Sequence, residues 1–173
     1  RHRTMDREVA IKILPQSMSQ DPVAIERFYS EVRATAKLMH PNIVTAFDAG
    51  CYRAKDTQVH YLVMELIRGE MLSQRMTTAG SFSAQAVIDI VAQAASALEY
   101  AHSQGIVHRD IKPSNMMLTS QNVLKILDFG LAVLRDRRNE DSVLKSSQII
   151  GTVEFMAPEQ INTPDRVDHR CDL

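Results

Sequence analysis

His108-Arg109-Asp110-Ile111-Lys112-Pro113-Ser114-Asn115 is the stretch on which the reading of this chain turns. An acid, a cation and an amide stand within six residues, between a long apolar-striped segment and a pair of short strands. Ser83 can cap the long segment, and Val87, Ile90, Val91, Ala94, Leu98 and Ala101 recur at helical spacing to about Ser103, where Gly105 closes it. Met116–Leu118 and Val123–Leu127 read as strands joined by a Thr-Ser-Gln-Asn turn. Asp128-Phe129-Gly130 follows directly, and Ala157-Pro158-Glu159 comes further on. Between them Arg135 to Gln148 is polar and without periodicity, the pattern of a long mobile loop, functional or disordered. Upstream, Glu8 to Leu14 (EVAIKIL) reads as a buried strand with Lys12 inside it. Asp21-Pro22 opens an amphipathic helix over about 21–39 that contains Glu31. Strand-like runs near Val44–Ala49 and His60–Leu66 follow, separated by a polar loop, Arg53–Gln58.

Composition narrows the function classes. The 173 residues are 45% hydrophobic and 24% charged, which suits a packed domain and not a disordered tail. With 20 Lys and Arg against 21 Asp and Glu, the net charge of −1 lacks the basic excess of a nucleic-acid or anionic-membrane binder. Two cysteines, Cys51 and Cys171, lie far apart, so neither a disulfide scaffold nor a Cys-rich zinc site is expected. No apolar run reaches the roughly 18 residues that span a bilayer. His2, His40, His60, His102 and His169 form no ligand pattern, and the nine Met read as core filler.

In this order the segments resemble the protein kinase family, of the Ser/Thr type. The wording (VAIKIL, HPNIVTAFDAG, IVHRDIKPSN, GTVEFMAPEQ) looks like the bacterial, eukaryotic-like members. The resemblance covers essentially the whole chain and implies an α+β, two-lobed fold. Residues 1–67 would form a partial small lobe up to the hinge, and 68–173 a partial large lobe as far as the start of its central helix. It also implies transfer of the γ-phosphoryl of ATP to Ser or Thr hydroxyls of protein substrates, with Mg²⁺ (Mn²⁺ as the alternative) as cofactor. Cytoplasmic placement of the domain and a kinase homodimer acting in trans on itself belong to the same expectation.

Phosphoryl transfer needs positioning and neutralisation of phosphate charge more than covalent work by the protein. A cation fixed on a strand can hold the α- and β-phosphates, and Lys12 suits that. Its counter-charge should come from the next helix, where the resemblance prefers Glu31, at the place the family gives this Glu, over its rival Glu26, more than a turn earlier. Hard oxygen donors are needed for Mg²⁺, and Asp128 with Asn115 offers a carboxylate and an amide. By resemblance Asp110 is the catalytic base and Lys112 stabilises the transferring phosphoryl. Thr152 is placed to bond both. Ala10 resembles the roof of the adenine pocket, Met117 its floor and Met64 the residue gating its back. Adenine would bond the backbone at Glu65 and Ile67, where side-chain identity matters little. His108 and Phe129 are read as packing residues, Phe129 reporting active or inactive geometry, and Asp172 as a brace beneath the catalytic segment. Arg109 suggests switching by loop phosphorylation, with Ser142, Ser146 and Ser147 as acceptors.

Departures from the pattern are of two kinds. No G-x-G-x-x-G occurs, and the Gly-rich-loop strands and later large-lobe helices are not seen, so residues 1–173 alone are expected to have little activity. Thr35 stands where a Leu-type residue is common, and Phe155 replaces a Tyr or Trp. Two other readings compete. A pseudokinase or docking scaffold should have lost Lys12, Asp110 or Asn115, and none is lost, so only the unseen Gly-rich loop still supports that alternative. A small-molecule phosphotransferase should lack the Ala-Pro-Glu segment and the long loop before it.

Overall fold

The computed structural model describes residues 6–54, 57–78, 80–129, 154–163 and 166–173. Ser142, Ser146, Ser147 and Thr152, and the loop carrying them, lie outside the described residues.

Two three-stranded antiparallel sheets organise the described residues. The first has the order β1-β3-β2, from β1 (Val9–Ile13), β2 (Ala46–Ala54) and β3 (Thr57–Glu65). Register places Ala10 opposite Met64 and Lys12 opposite Leu62, so these four side chains share one face. On that face Leu14, Phe28 and Leu62 form a small core with Ile25, Val32 and Met64. On the other face Ile11 and Ile13 are 58% and 56% exposed. β1 is therefore not buried on both sides as its apolar run suggested: among the described residues it pairs with β3 alone. The expected polar loop Arg53–Gln58 is also corrected. Arg53 pairs with Gln58 and Ala54 with Thr57, because a two-stranded hairpin tip tolerates polar side chains facing water.

Helix α1 (Pro22–Thr35) starts at an Asp21 cap, whose carboxylate accepts from Val23 N–H at 2.9 Å. It ends four residues before the periodicity did, because the next segment packs elsewhere. Leu38 and Ile43 enter the second core, Ile43 bridges in parallel to Ile126, and Val44 N–H donates to Ile126 O at 3.0 Å.

The second sheet has the order β4-β5-β6, from β4 (Gly69–Met71), β5 (Met116–Thr119) and β6 (Leu124–Ile126). A Cβ on Gly69 would stand 2.4 Å from Leu118 O, so this approach of β4 to β5 requires glycine. Helices α2 (Leu72–Thr78) and α3 (Ala84–Ser103) cover the sheet. Ser83 caps α3 as expected, its hydroxyl accepting from Ala86 N–H at 3.2 Å, and Gly105 closes it at φ +71. Ala97, Leu98 and Ala101 are buried against Met116, Leu118, Leu124, Ile126 and Phe129. Val87 and Val91, also read as core, lie exposed with Ile88. The first half of α3 is apolar nearly all round, so its stripe did not define a single buried side. Helix α4 (Pro158–Asn162) and a 3-10 turn at His169–Asp172 complete the described chain.

Candidate active site

The two sheets meet where β3 leaves for β4, and the chemistry-bearing residues gather there. Lys12 Nζ lies 2.6 Å from Glu31 Oε1 and 2.8 Å from Asp128 Oδ1. Strand, helix and the end of the β5–β6 hairpin are thereby joined by one ammonium. Glu26 is instead exposed and pairs with Arg33. Burial alone would lower the Lys12 pKa, but Asp128 and Glu31 outweigh it and hold it above its ordinary value. Glu31 is 2% exposed, and burial pushes its carboxyl up against the opposing pull of Lys12.

Upstream of Asp128, the segment 108–115 makes a sharp loop around a second cluster, with Asp110 eighteen residues before Asp128. Asp110 Oδ2 lies 2.8 Å from Lys112 Nζ. Asn115 Nδ2 donates to Asp110 O at 2.8 Å and to Asp110 Oδ2 at 2.9 Å. With its amide nitrogen spent on Asp110, Asn115 offers its oxygen as the remaining donor. Asp128 has one carboxylate oxygen on Lys12 and a second one beyond that contact. One carboxylate and one amide oxygen fit a small hard cation that shares its remaining positions with phosphate and water. No group of three or more His, Cys, Asp or Glu among the described residues forms a dedicated metal cage.

The loop is held from below by Asp172, whose side chain is fully buried. It accepts from His108 N–H at 2.8 Å, from Arg109 N–H at 2.6 Å and meets His102 Nε2 at 2.8 Å. Arg109 sits at φ +64, a left-handed conformation that these contacts and the bond from Gln160 Nε2 to Arg109 O (2.7 Å) hold in place. Asp172→Ala leaves two buried N–H groups without an acceptor, and the expected loss is about 3–5 kcal/mol. Urea titration of the protein checks this, with Asp172→Asn, which keeps one acceptor oxygen, losing less.

His108 packs as expected and does more. Its Nε2 faces Leu127 O at 2.8 Å, its Nδ1 accepts from Asp110 N–H at 3.2 Å, and Phe129 meets it edge-on at 4.7 Å. These partners suit a neutral ring, and burial lowers its pKa from 6.5. The unfolded chain therefore takes up a proton that the folded chain resists. The contribution is intact above about pH 6.5 and is lost as pH falls through that value. The expected result is a flatter fall of Tm between about pH 7 and 5 in His108→Phe than in the parent; equal slopes contradict it.

Other expected positions are also placed. Ala10 and Met64 are paired neighbours on the cleft face of the first sheet. Met117 is half-buried on β5, on the face opposite Met116 and Leu118. Ile67 is half-buried in the 66–68 connection, and Phe129 is fully buried. At Glu65 the side chain has contacts of its own: Oε2 lies 2.8 Å from Lys125 Nζ and accepts from Thr45 N–H at 3.4 Å. The Glu65 backbone N–H donates to Thr45 O at 2.9 Å. A groove of about 610 Å³ behind this hinge is lined by Met39, His40, Phe47 and Lys125, and shares only Glu65 with the expected site. Sequence reading missed His102, Gln160 and Lys125, all of which bond residues far away in the chain.

A strand lysine paired with a helix glutamate, a hairpin-end aspartate, and an Asp–Lys–Asn loop braced from below define the class that the sequence resembled. The sequence matches the protein kinase domain family over residues 1–173, and the chain belongs to that family. It is 38% identical to the serine/threonine-protein kinase PknB of Mycobacterium leprae over 169 residues, 98% of this chain and 27% of that protein. To the serine/threonine-protein kinase PknA of Mycobacterium tuberculosis it is 40% identical over 157 residues, 90% of this chain and 36% of that protein. The chain thus spans about a quarter to a third of the length of these curated relatives.

Proposed function

We propose that the protein is an ATP-dependent protein kinase acting on Ser and Thr hydroxyls of protein substrates. The observation that carries this reading is a pair of linked sets, Glu31–Lys12–Asp128 and Asp110–Lys112–Asn115, each joined by side-chain contacts of 2.6–2.9 Å. Lys12, fixed on β1 and charge-balanced by Glu31, holds the α- and β-phosphates. Asp128 and Asn115 would hold Mg²⁺ or Mn²⁺, and that ion, when bound, neutralises phosphate charge. Asp110 orients the acceptor hydroxyl and takes its proton as the oxygen bonds the γ-phosphorus and the bond to ADP breaks. Lys112, beside Asp110, stabilises the charge on the phosphoryl in transit. Ala10, Met64 and Met117 enclose the base, and the backbone at Glu65 and Ile67 bonds it.

Regulation by loop phosphorylation belongs to the same reading. Arg109 Nε is buried with no hydrogen-bond partner among the described residues, a donor suited to a phosphate. Ser142, Ser146 and Ser147 are the proposed acceptors, modified in trans within a kinase homodimer, and Thr152 is the residue proposed to bond Asp110 and Lys112. No helix among the described residues is long and apolar enough to cross a membrane. The domain would work where ATP is, in the cytoplasm.

Incubation of the full-length protein with labelled ATP, Mg²⁺ and a peptide library of Ser, Thr and Tyr acceptors tests the reading. Label confined to Ser and Thr is the expected result. Label on small molecules alone, or none, overturns it.

A further inference from the structure

We propose that Tyr29 and His60 form a positioning pair that sets α1 against the first sheet and so brings Glu31 to Lys12; this rests on the kinase reading above. Tyr29 lies two residues before Glu31 on α1. Its hydroxyl meets His60 Nδ1 at 3.0 Å, and the two rings stand edge to face at 5.5 Å. Tyr29 also stands edge to face with Phe28, which anchors α1 in the small core.

His60 is tied to the other half of the ion pair as well. Its carbonyl accepts from Leu14 N–H at 3.0 Å, at the end of the strand that carries Lys12. One residue of β3 thus holds both elements whose side chains meet in the Lys12–Glu31 bond. The apolar contacts of Ile25, Phe28 and Val32 press α1 onto the sheet but do not define its rotation or height, because such contacts are non-directional. A hydrogen bond is directional and defines both.

The cost of the arrangement supports a positional use. His60 is buried, and its Nε2 has no hydrogen-bond partner among the described residues. A buried polar atom left unpaired is unfavourable, and an apolar side chain would fill the same space without that cost. The contact through Nδ1 is what the imidazole gives in return.

Tyr29→Phe, His60→Leu and His60→Asn in the full-length protein test the pair. Losing one buried hydrogen bond is expected to lower kcat/KM for ATP about five- to tenfold in Tyr29→Phe and His60→Leu. KM for the acceptor peptide stays unchanged. His60→Asn, whose amide occupies the Nδ1 position, restores most of the loss. In a Glu31→Gln background Tyr29→Phe has no further effect, because the helix position then no longer matters. Amide exchange across 22–35 rises in Tyr29→Phe. Unchanged ATP kinetics in an active protein, or an undiminished loss in the Glu31→Gln background, overturns the pair. A parent protein without phosphoryl transfer sinks the kinase reading instead; the pair then rests on amide exchange, where unchanged exchange in Tyr29→Phe overturns it.

Discussion

Lys12→Met is expected to lower turnover with ATP by about a hundred- to a thousandfold, the scale of one preorganised charge removed from a developing anionic centre. Met keeps the length of the stem and its packing against the sheet but removes the ammonium that touches both Glu31 and Asp128. Removal also takes away the charge that opposes the rise of the Glu31 pKa, so the buried carboxyl moves further up and more readily takes a proton. That proton uptake limits the damage to the fold. Activity therefore falls far more than stability, and both KM for ATP and kcat change. Initial rates over a range of ATP concentrations, with a thermal melt beside them, separate the two. A melt that collapses while the remaining folded fraction turns over normally would contradict the role.

Asp110→Asn is the second large effect. The replacement keeps shape, and its amide oxygen can still accept from Asn115 Nδ2, as Asp110 Oδ2 does at 2.9 Å. What it cannot do is take a proton. Loss of a general base costs about a hundred- to ten-thousandfold in kcat. KM for ATP should hold, because Lys12 and Asp128 are untouched. The two variants thus have different signatures: one changes ATP handling, the other the chemical step alone.

Much of the site was legible because its residues are contiguous. Asp110, Lys112 and Asn115 lie in one loop, and Asp128 closes the next hairpin, so the resemblance to the kinase motifs could be read from short contiguous segments. Lys12 and Glu31 were legible as a cation and a carboxylate on consecutive elements. Cross-chain partnerships were not. His60 meets Tyr29, Lys125 meets Glu65, His102 meets Asp172 and Gln160 meets Arg109, and nothing local in the sequence marks any of these. Element boundaries failed where tertiary packing overrode periodicity. α1 stops at Thr35 so that Leu38 and Ile43 can reach the second core. On β1 a continuous apolar run was read as burial, yet Ile11 and Ile13 lie on a sheet face that the described residues leave exposed. The α3 stripe failed similarly, because apolar residues on adjacent faces give periodicity no single direction.

The most direct test is γ-phosphoryl transfer from Mg²⁺-ATP to one Ser-containing acceptor peptide by the full-length protein and its Asp110→Asn variant, followed by mass spectrometry of the peptide. A phosphate on the Ser hydroxyl with the parent, and a rate lower by about a hundredfold or more with Asp110→Asn, is the predicted outcome. Equal rates for the two proteins would contradict the account at its centre.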